Sequence, residues 1–308
     1  YLARRHGLAI DHLEGVEIVT ADGRIVSANA REHADLFWAV RGGGGNFGIV
    51  TRFIYRAVPV GTTYTGAIVL PATVETIVGV ARAAEAAPEE LTTITDMVVA
   101  PPMPFLPPEW VGKLILYVTA VYAGDPADGP AVMAPFRALG PIADLMAPMP
   151  YAGIYQFTAQ AEPPAAYEIR SSFLTSFDAS TAELAIASVL ASPTPMAMFH
   201  FRILGGEMAR VPADATAFAH RDARFMVMIM AGFEDPAARP DAAAWASGLH
   251  TALRPQARGV YSNFLGDEGE ARVHEAYPPA TYARLAAIKA AWDPTNVFHR
   301  NQNIRPAS

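Results

Sequence analysis

Cysteine is absent from all 308 residues, which excludes a disulfide scaffold, thiolate catalysis and a Cys-based zinc site. Long apolar runs are absent too, and no stretch approaches the ~18 uncharged residues of a membrane span. Positive charge is scarce: 23 Lys and Arg stand against 30 Asp and Glu, a net charge of −7. With no basic run, nothing supplies the electrostatic footprint that nucleic acid or an anionic membrane needs, and neither is expected as a partner. An initiating Met is missing as well. The chain opens on Tyr1-Leu2-Ala3-Arg4-Arg5-His6, which is no charged-then-apolar secretion signal, and runs straight into patterned sequence. An N-terminal piece is therefore expected upstream, and the compartment stays open. What is present is 52% hydrophobic and 10% aromatic residues, a composition that buries enough apolar surface to fold compactly. At roughly 150 residues per domain, the length suits two domains.

Polarity alternates over Val16 to Thr20 and Arg24 to Ser27 around Asp22-Gly23, a dipeptide that favours a tight hairpin. A helix over Ala34 to Val40, with Leu36, Phe37 and Val40 as its apolar stripe, runs into the glycines from Gly42. After them Ile49, Thr51, Phe53 and Tyr55 are expected on one face of a strand. A domain boundary falls near Gly61. Beyond it the pattern predicts strands at Thr92 to Ala100, Leu114 to Tyr122, Met196 to Leu204 and Phe225 to Phe233. Helices alternate with them near Val74 to Ala87, Ala179 to Ala191 and Asp241 to Leu253, the first capped by Thr73. This order suits an antiparallel sheet covered by helices on one face. The tail carries Tyr261-Ser262-Asn263-Phe264, an acidic turn at Asp267-Glu268-Gly269-Glu270, a helix about Thr281 to Trp292, and the polar end Asn301-Gln302-Asn303.

The run Gly42-Gly43-Gly44-Gly45-Asn46-Phe47-Gly48 is the loudest local signal, because each ordered glycine costs about 0.5–1 kcal/mol relative to Ala. Gly43, Gly45 and Gly48 match GxGxxG, but the order helix, loop, strand reverses the dinucleotide fingerprint, and no acidic residue lies near position 68. Two readings remain: a loop whose bare backbone approaches a ligand and offers N–H groups to it, or a tight connection packed against another element. The eight histidines form no HExxH pair and no metal-ligand cluster, and no GxSxG elbow occurs. Asp267, Glu268 and Glu270 read as a solvated loop rather than a glycosidase pair. Tyr261 and Asn263, two apart, share a face if their segment is a strand.

Several segments together resemble a known family. They are Tyr1 to Leu8 with Asp11, the Val-Thr-Ala-Asp-Gly hairpin, Asp35-Leu36-Phe37-Trp38-Ala39-Val40-Arg41 continuing through the glycines to Ile49-Val50-Thr51, Tyr261 to Phe264, and Asp293-Pro294-Thr295-Asn296-Val297-Phe298-His299-Arg300 continuing to Ile304. In this the chain is similar to the FAD-linked oxidases of the berberine-bridge-enzyme-like group, within the vanillyl-alcohol-oxidase superfamily with its PCMH-type FAD-binding domain. The resemblance implies an α+β fold: residues 1–60 as the remaining half of an FAD-binding lobe, 61–258 as an antiparallel-sheet substrate lobe covered by helices, and 259–308 as a segment returning to the FAD lobe. It implies FAD as cofactor, with Gly44, Gly45, Asn46, Gly48, Ile49 and Val50 as contacts. By the same likeness Tyr261 takes a proton from a substrate hydroxyl or amine as hydride leaves to the flavin. Asn263 lies on the flavin side, and Asn301, Gln302 and Asn303 return toward the cofactor. The substrate class implied is a small alcohol, sugar or amine, with oxygen as final acceptor; the pocket is expected between the lobes, with Tyr117, His200 and Arg202 as candidate lining. The family's first FAD subdomain, with its pyrophosphate loop and the His that often links to flavin, is expected ahead of Tyr1. Without it these residues are expected to bind FAD poorly. No covalent linkage site is assigned among them. The alternative from another class is a non-catalytic lobe acting as a small-molecule binding module.

Overall fold

A computed structural model describes residues 1–158 and 166–307. The chain divides into two compact units, one of residues 1–6, 60–206 and 223–258, the other of residues 7–59, 207–222 and 259–308.

The second of these is built on a three-stranded antiparallel sheet of β1 (Leu13–Val19), β2 (Ile25–Asn29) and β3 (Ile49–Tyr55), in the order β2-β1-β3. The hairpin between β1 and β2 forms where Asp22-Gly23 predicts it. Gly23, at φ +81°, takes the left-handed position, and the Asp22 carboxylate accepts from the Thr20 hydroxyl and Arg24 Nε, both at 2.6 Å. Those two donors, Thr20 first, hold the Asp22 carboxyl down to about 2. The expected alternation in β3 fails for a physical reason. A bulge leaves Thr51 unpaired, so Val50 faces the buried Ile18 while Phe53 faces Val16; one extra residue moves every later side chain to the other face, and Ile49 no longer sides with Phe53. The helix Ala34–Val40 buries Leu36, Phe37, Trp38 and Ala39 against this sheet and against Leu285 and Ile288 of the helix Pro279–Trp292. Residues 207–222 join the same unit through Trp38 Nε1, which donates to Asp214 O at 2.7 Å, and through a bidentate pair of Arg221 with Asp11 at 2.8 and 2.7 Å.

In the other unit the sheet has eight strands: β4 (Thr62–Pro71), β5 (Leu91–Val99), β6 (Leu114–Tyr122), β7 (Ala143–Asp144), β8 (Ala147–Pro150), β9 (Ala166–Leu174), β10 (Met196–Ile203) and β11 (Phe225–Phe233). The order is β7-β4-β6-β5-β10-β11-β9, β8 pairs with β4, and every pairing is antiparallel. Helices Val74–Ala86, Ala179–Leu190 and Arg239–Leu253 supply Ile77, Val80, Ala182, Val189 and Leu249 to one core with Phe199, Phe201 and Val227 of the sheet. Thr73 caps the first helix, its hydroxyl accepting from Thr76 N at 3.2 Å. The α+β architecture implied by the sequence is thus the one observed, an antiparallel sheet with helices on one face.

Strands β4 and β9 were not foreseen. Most of β4 is buried on both faces, so it shows no alternation, and Gly66 interrupts it. That glycine is forced by packing: a Cβ there would sit 2.3 Å from Leu145 O. Gly66→Ala is expected to cost about 1–3 kcal/mol through overpacking, read as a lowered thermal midpoint; an unchanged midpoint would contradict the close approach.

Candidate functional site

The glycine loop follows the helix Ala34–Val40, and its glycines have separate reasons to exist. A Cβ at Gly42 would lie 2.6 Å from Phe218 N, at Gly43 2.5 Å from Ala39 O, and at Gly48 2.4 Å from Val19 O. These three are required by the protein's own packing, the tight-connection reading. Gly44 is different: at φ +68° it faces only Asn46 Nδ2, 3.9 Å away, and the nearest atom to a Cβ at Gly45 is Asn301 Nδ2 at 3.1 Å. Here the backbone is bare and outward, the ligand-approach reading.

Asn46 is almost fully buried, at 1% exposure. Its amide donates to Gly43 O at 2.8 Å and Gln302 O at 3.1 Å and accepts from Ile304 N at 3.0 Å. With its side chain used in this way, Asn46 staples the glycine loop to the C-terminal segment. Below the staple lies Lys289, with no exposed side chain. Its ammonium donates to Asn46 O at 2.6 Å, to Phe298 O at 2.8 Å and to the Asp293 carboxylate. Asp293, equally buried, accepts from Val297 N at 2.7 Å and Phe298 N at 2.9 Å. Burial alone would push the Asp293 carboxyl up; the Lys289 bond and the two backbone donors outweigh it and hold the group below its ordinary value. The sequence reading missed both residues as parts of the site, although Lys289 and Asp293 stand at the i, i+4 spacing that lets them meet on a helix.

Tyr261 and Asn263 are brought together, though not by a strand. Residues 262–264 form a single 3-10 turn closed by Phe264 N donating to Tyr261 O at 2.9 Å, and within it Asn263 Nδ2 donates to the Tyr261 phenol oxygen at 2.8 Å. The Tyr261 ring packs edge-on against Phe264 and Phe218, with centroids 5.3 and 6.1 Å apart. Gln302 Nε2 donates to Leu265 O, tying the same segment to Asn301-Gln302-Asn303. A second phenol, Tyr277, donates to Gly42 O at 3.1 Å, and burial pushes its titration up to about 12, so it serves as a fixed donor. The acidic turn departs from the solvated loop expected: Glu268 folds in and accepts from Arg272 Nε at 3.0 Å, its side chain 6% exposed, while Asp267 and Glu270 are exposed.

In the other unit, His200 Nδ1 lies 2.6 Å from Asp96 Oδ1, and Arg202 Nε donates to His200 Nε2 at 2.6 Å. Tyr117 is the register partner of Asp96 on the next strand. Asp96 was overlooked in the sequence; a lone carboxylate among Thr, Ile and Val inside a strand was the available signal.

The family described as Berberine and berberine like matches residues 260–305. Over 99% of its length the chain is 26% identical to an FAD-linked oxidoreductase of Dictyostelium discoideum and 27% identical to the chitooligosaccharide oxidase of Gibberella zeae. It spans 66% and 65% of the length of those curated relatives. The solved structure of BBE-like #28 from Arabidopsis thaliana superposes with a TM-score of 0.83 at 20% identity, over 100% of this chain and 69% of that one. Over nearly its whole length the chain is thus similar to curated proteins named as FAD-linked oxidoreductases, its residues 260–305 match the berberine-like family, and FAD is the cofactor this likeness indicates. No helix among the described residues is long and apolar enough to cross a membrane.

The residues present fit such a cofactor. Gly44 and Gly45 leave a backbone cradle that any Cβ would narrow. Asn303 Oδ1, a buried acceptor with no hydrogen-bond partner, lines a hollow with Pro294, Asn296 and Arg305.

Lys289→Met strands the Asp293 carboxylate in the core, and breaking a buried pair from one side costs about 3–5 kcal/mol. The expected result is a lowered denaturation midpoint together with faster amide exchange over residues 297–304; loss of stability without that local exchange would contradict the staple. Because the Asp293 carboxyl is held below its unfolded value of about 3.9, its contribution is complete above that pH and declines as pH falls through and below it. Urea midpoints of the wild type should fall over this acid range more steeply than those of Asp293→Asn.

Proposed function

We propose that this protein is an FAD-dependent oxidoreductase that takes hydride from an alcohol, sugar or amine and passes the electrons on to oxygen. The observation that carries the reading is that the bare Gly44-Gly45 backbone, through Asn46, and the Tyr261–Asn263 turn, through Leu265, are both tied to Gln302 of one C-terminal segment. The whole-length likeness to FAD-linked oxidoreductases supports it, and a relative named as an oxidase of chitooligosaccharides supports sugar among the substrate classes.

Bound FAD would supply the acceptor for hydride leaving the substrate carbon. The rest falls to the chain. Gly44 and Gly45, with the exposed Ile49 and the adjoining Val50, form the backbone side of the cofactor site; Gly48 and Asn46 contribute by holding that backbone in place. Asn301, Gln302 and Asn303 close it from the C-terminal segment. Tyr261, in its phenolate form, would take the proton of the substrate hydroxyl or amine and become the neutral phenol as hydride leaves the adjoining carbon, so that the C=O or C=N can form. Asn263, donating to the phenol oxygen, fixes its direction and keeps a hydrogen bond on it when the proton arrives or departs.

The test is Tyr261→Phe in the flavin-bearing protein, with reduction of the visible flavin absorbance followed anaerobically under a panel of sugars, alcohols and amines. Loss of a general base predicts a fall of about 100-fold or more in the reduction rate with flavin content unchanged. Equal rates at every pH would contradict the base assignment, and a protein with no flavin would favour a binding module instead.

A further inference from the structure

Two aromatic rings stand edge-on to Tyr261, and they differ in what they can fix. Phe264 belongs to the same 3-10 turn and moves with it. Phe218 comes from residues 207–222, so its ring, 6.1 Å away at 84°, relates Tyr261 to chain outside the turn. Asn263 is exposed, and a hydrogen bond from an exposed amide competes with water. Phe218 itself is held from several sides. A Cβ on Gly42 would come within 2.6 Å of Phe218 N, and the preceding Ala217 N donates to Arg41 O at 3.0 Å. The Phe218 carbonyl accepts from Arg221 Nε at 3.2 Å, and the Arg221 guanidinium lies 5.3 Å from the centre of the Phe218 ring.

Arg221 is spent on the protein. It is 2% exposed. Its Nη1 and Nη2 donate to the two carboxylate oxygens of Asp11 at 2.8 and 2.7 Å, Nη2 also to Thr216 Oγ1 at 2.8 Å, and Nη1 also to Met208 O at 3.5 Å. Asp11 Oδ2 takes a further bond from Leu8 N at 2.8 Å. With its N–H groups so used, this cation has nothing left for a ligand. A buried ion pair is weak evidence for stability. What a planar fork held on both prongs does fix is direction, here that of the Phe218 carbonyl and ring.

We propose that Phe218, held by the Arg221–Asp11 pair, is a positioning residue for Tyr261: it sets the direction of the phenol, and with it the bond from Asn263 to the phenol oxygen. That the phenol so directed serves as the base rests on the oxidoreductase reading; the direction itself does not.

Two readouts test this on the purified full chain. One is the Asn263 side-chain amide signal in heteronuclear NMR spectra, identified by its absence from Asn263→Asp; the other is anaerobic flavin reduction by the panel of sugars, alcohols and amines. Tyr261→Phe, which removes the phenol oxygen, gives the position of the unbonded amide. Phe218→Leu, which keeps an apolar side chain without the ring, is expected to move the signal to that same position. It should also lower the limiting reduction rate about 10-fold or more, with the half-saturating concentration changed by less than about 3-fold. Phe218→Tyr, which restores a ring, should bring the amide signal and the rate back toward the wild type. Arg221→Lys keeps the charge without the fork and should displace the amide signal in the same direction; if that variant does not fold, Phe218→Leu decides. An amide signal at its wild-type position in Phe218→Leu, or in folded Arg221→Lys, would overturn the proposal. Wild-type flavin that no compound of the panel reduces would instead fail the oxidoreductase reading, with the amide signal still deciding the direction of the phenol.

Discussion

The candidate site depends on one buried ion pair. Lys289 and Asp293 are wholly removed from water, a state that is unfavourable unless every charge is matched by hydrogen bonds of good geometry. Here it is matched: the ammonium is shared among Asp293, Asn46 O and Phe298 O, and the carboxylate takes two further backbone N–H groups. The acceptors and donors come from the glycine loop, from the helix Pro279–Trp292 and from the segment after it. The pair therefore can be satisfied only when all three are in place. Positions 46 and 302, more than two hundred residues apart, meet as a consequence.

That constraint explains how the glycine loop can be structural and still carry the cofactor role proposed for it. Gly42, Gly43 and Gly48 let the loop lie against Phe218, Ala39 and Val19, and Asn46 pins it from beneath. With the loop held on its inner side, Gly44 and Gly45 present backbone on the outer side without collapsing. A binding surface built from main chain needs such support, because glycine otherwise gives up more freedom than any other residue. The phenol of Tyr261 is fixed in the same way, by Asn263 from its own turn and by two aromatic neighbours.

Much of this was legible in the sequence where a local rule decides. The Asp22-Gly23 hairpin, the helix Ala34–Val40, the Thr73 cap and strand Phe225–Phe233 stand where pattern and turn chemistry put them. The rest depended on long-range partners. β4 is buried on both faces and has no period to read; β3 carries a bulge that is set by its pairing with β1. Tyr261 and Asn263 meet through a turn rather than a strand, since the closing bond from Phe264 is a matter of backbone geometry that spacing does not reveal. Lys289, Asp293 and Asp96 are ordinary residues in sequence. Each becomes notable only when register or burial supplies its partner.

Buried polar contacts hold the fold, and on it lie a surface of exposed backbone and an oriented phenol, the arrangement from which flavin chemistry is proposed. The most direct measurement is the visible absorption spectrum of the protein expressed from its natural start, before and after acid precipitation. The account predicts a yellow protein, with colour released to the supernatant if flavin is held without a covalent bond and retained in the pellet if it is linked. A folded, colourless protein that takes up no added FAD would contradict it.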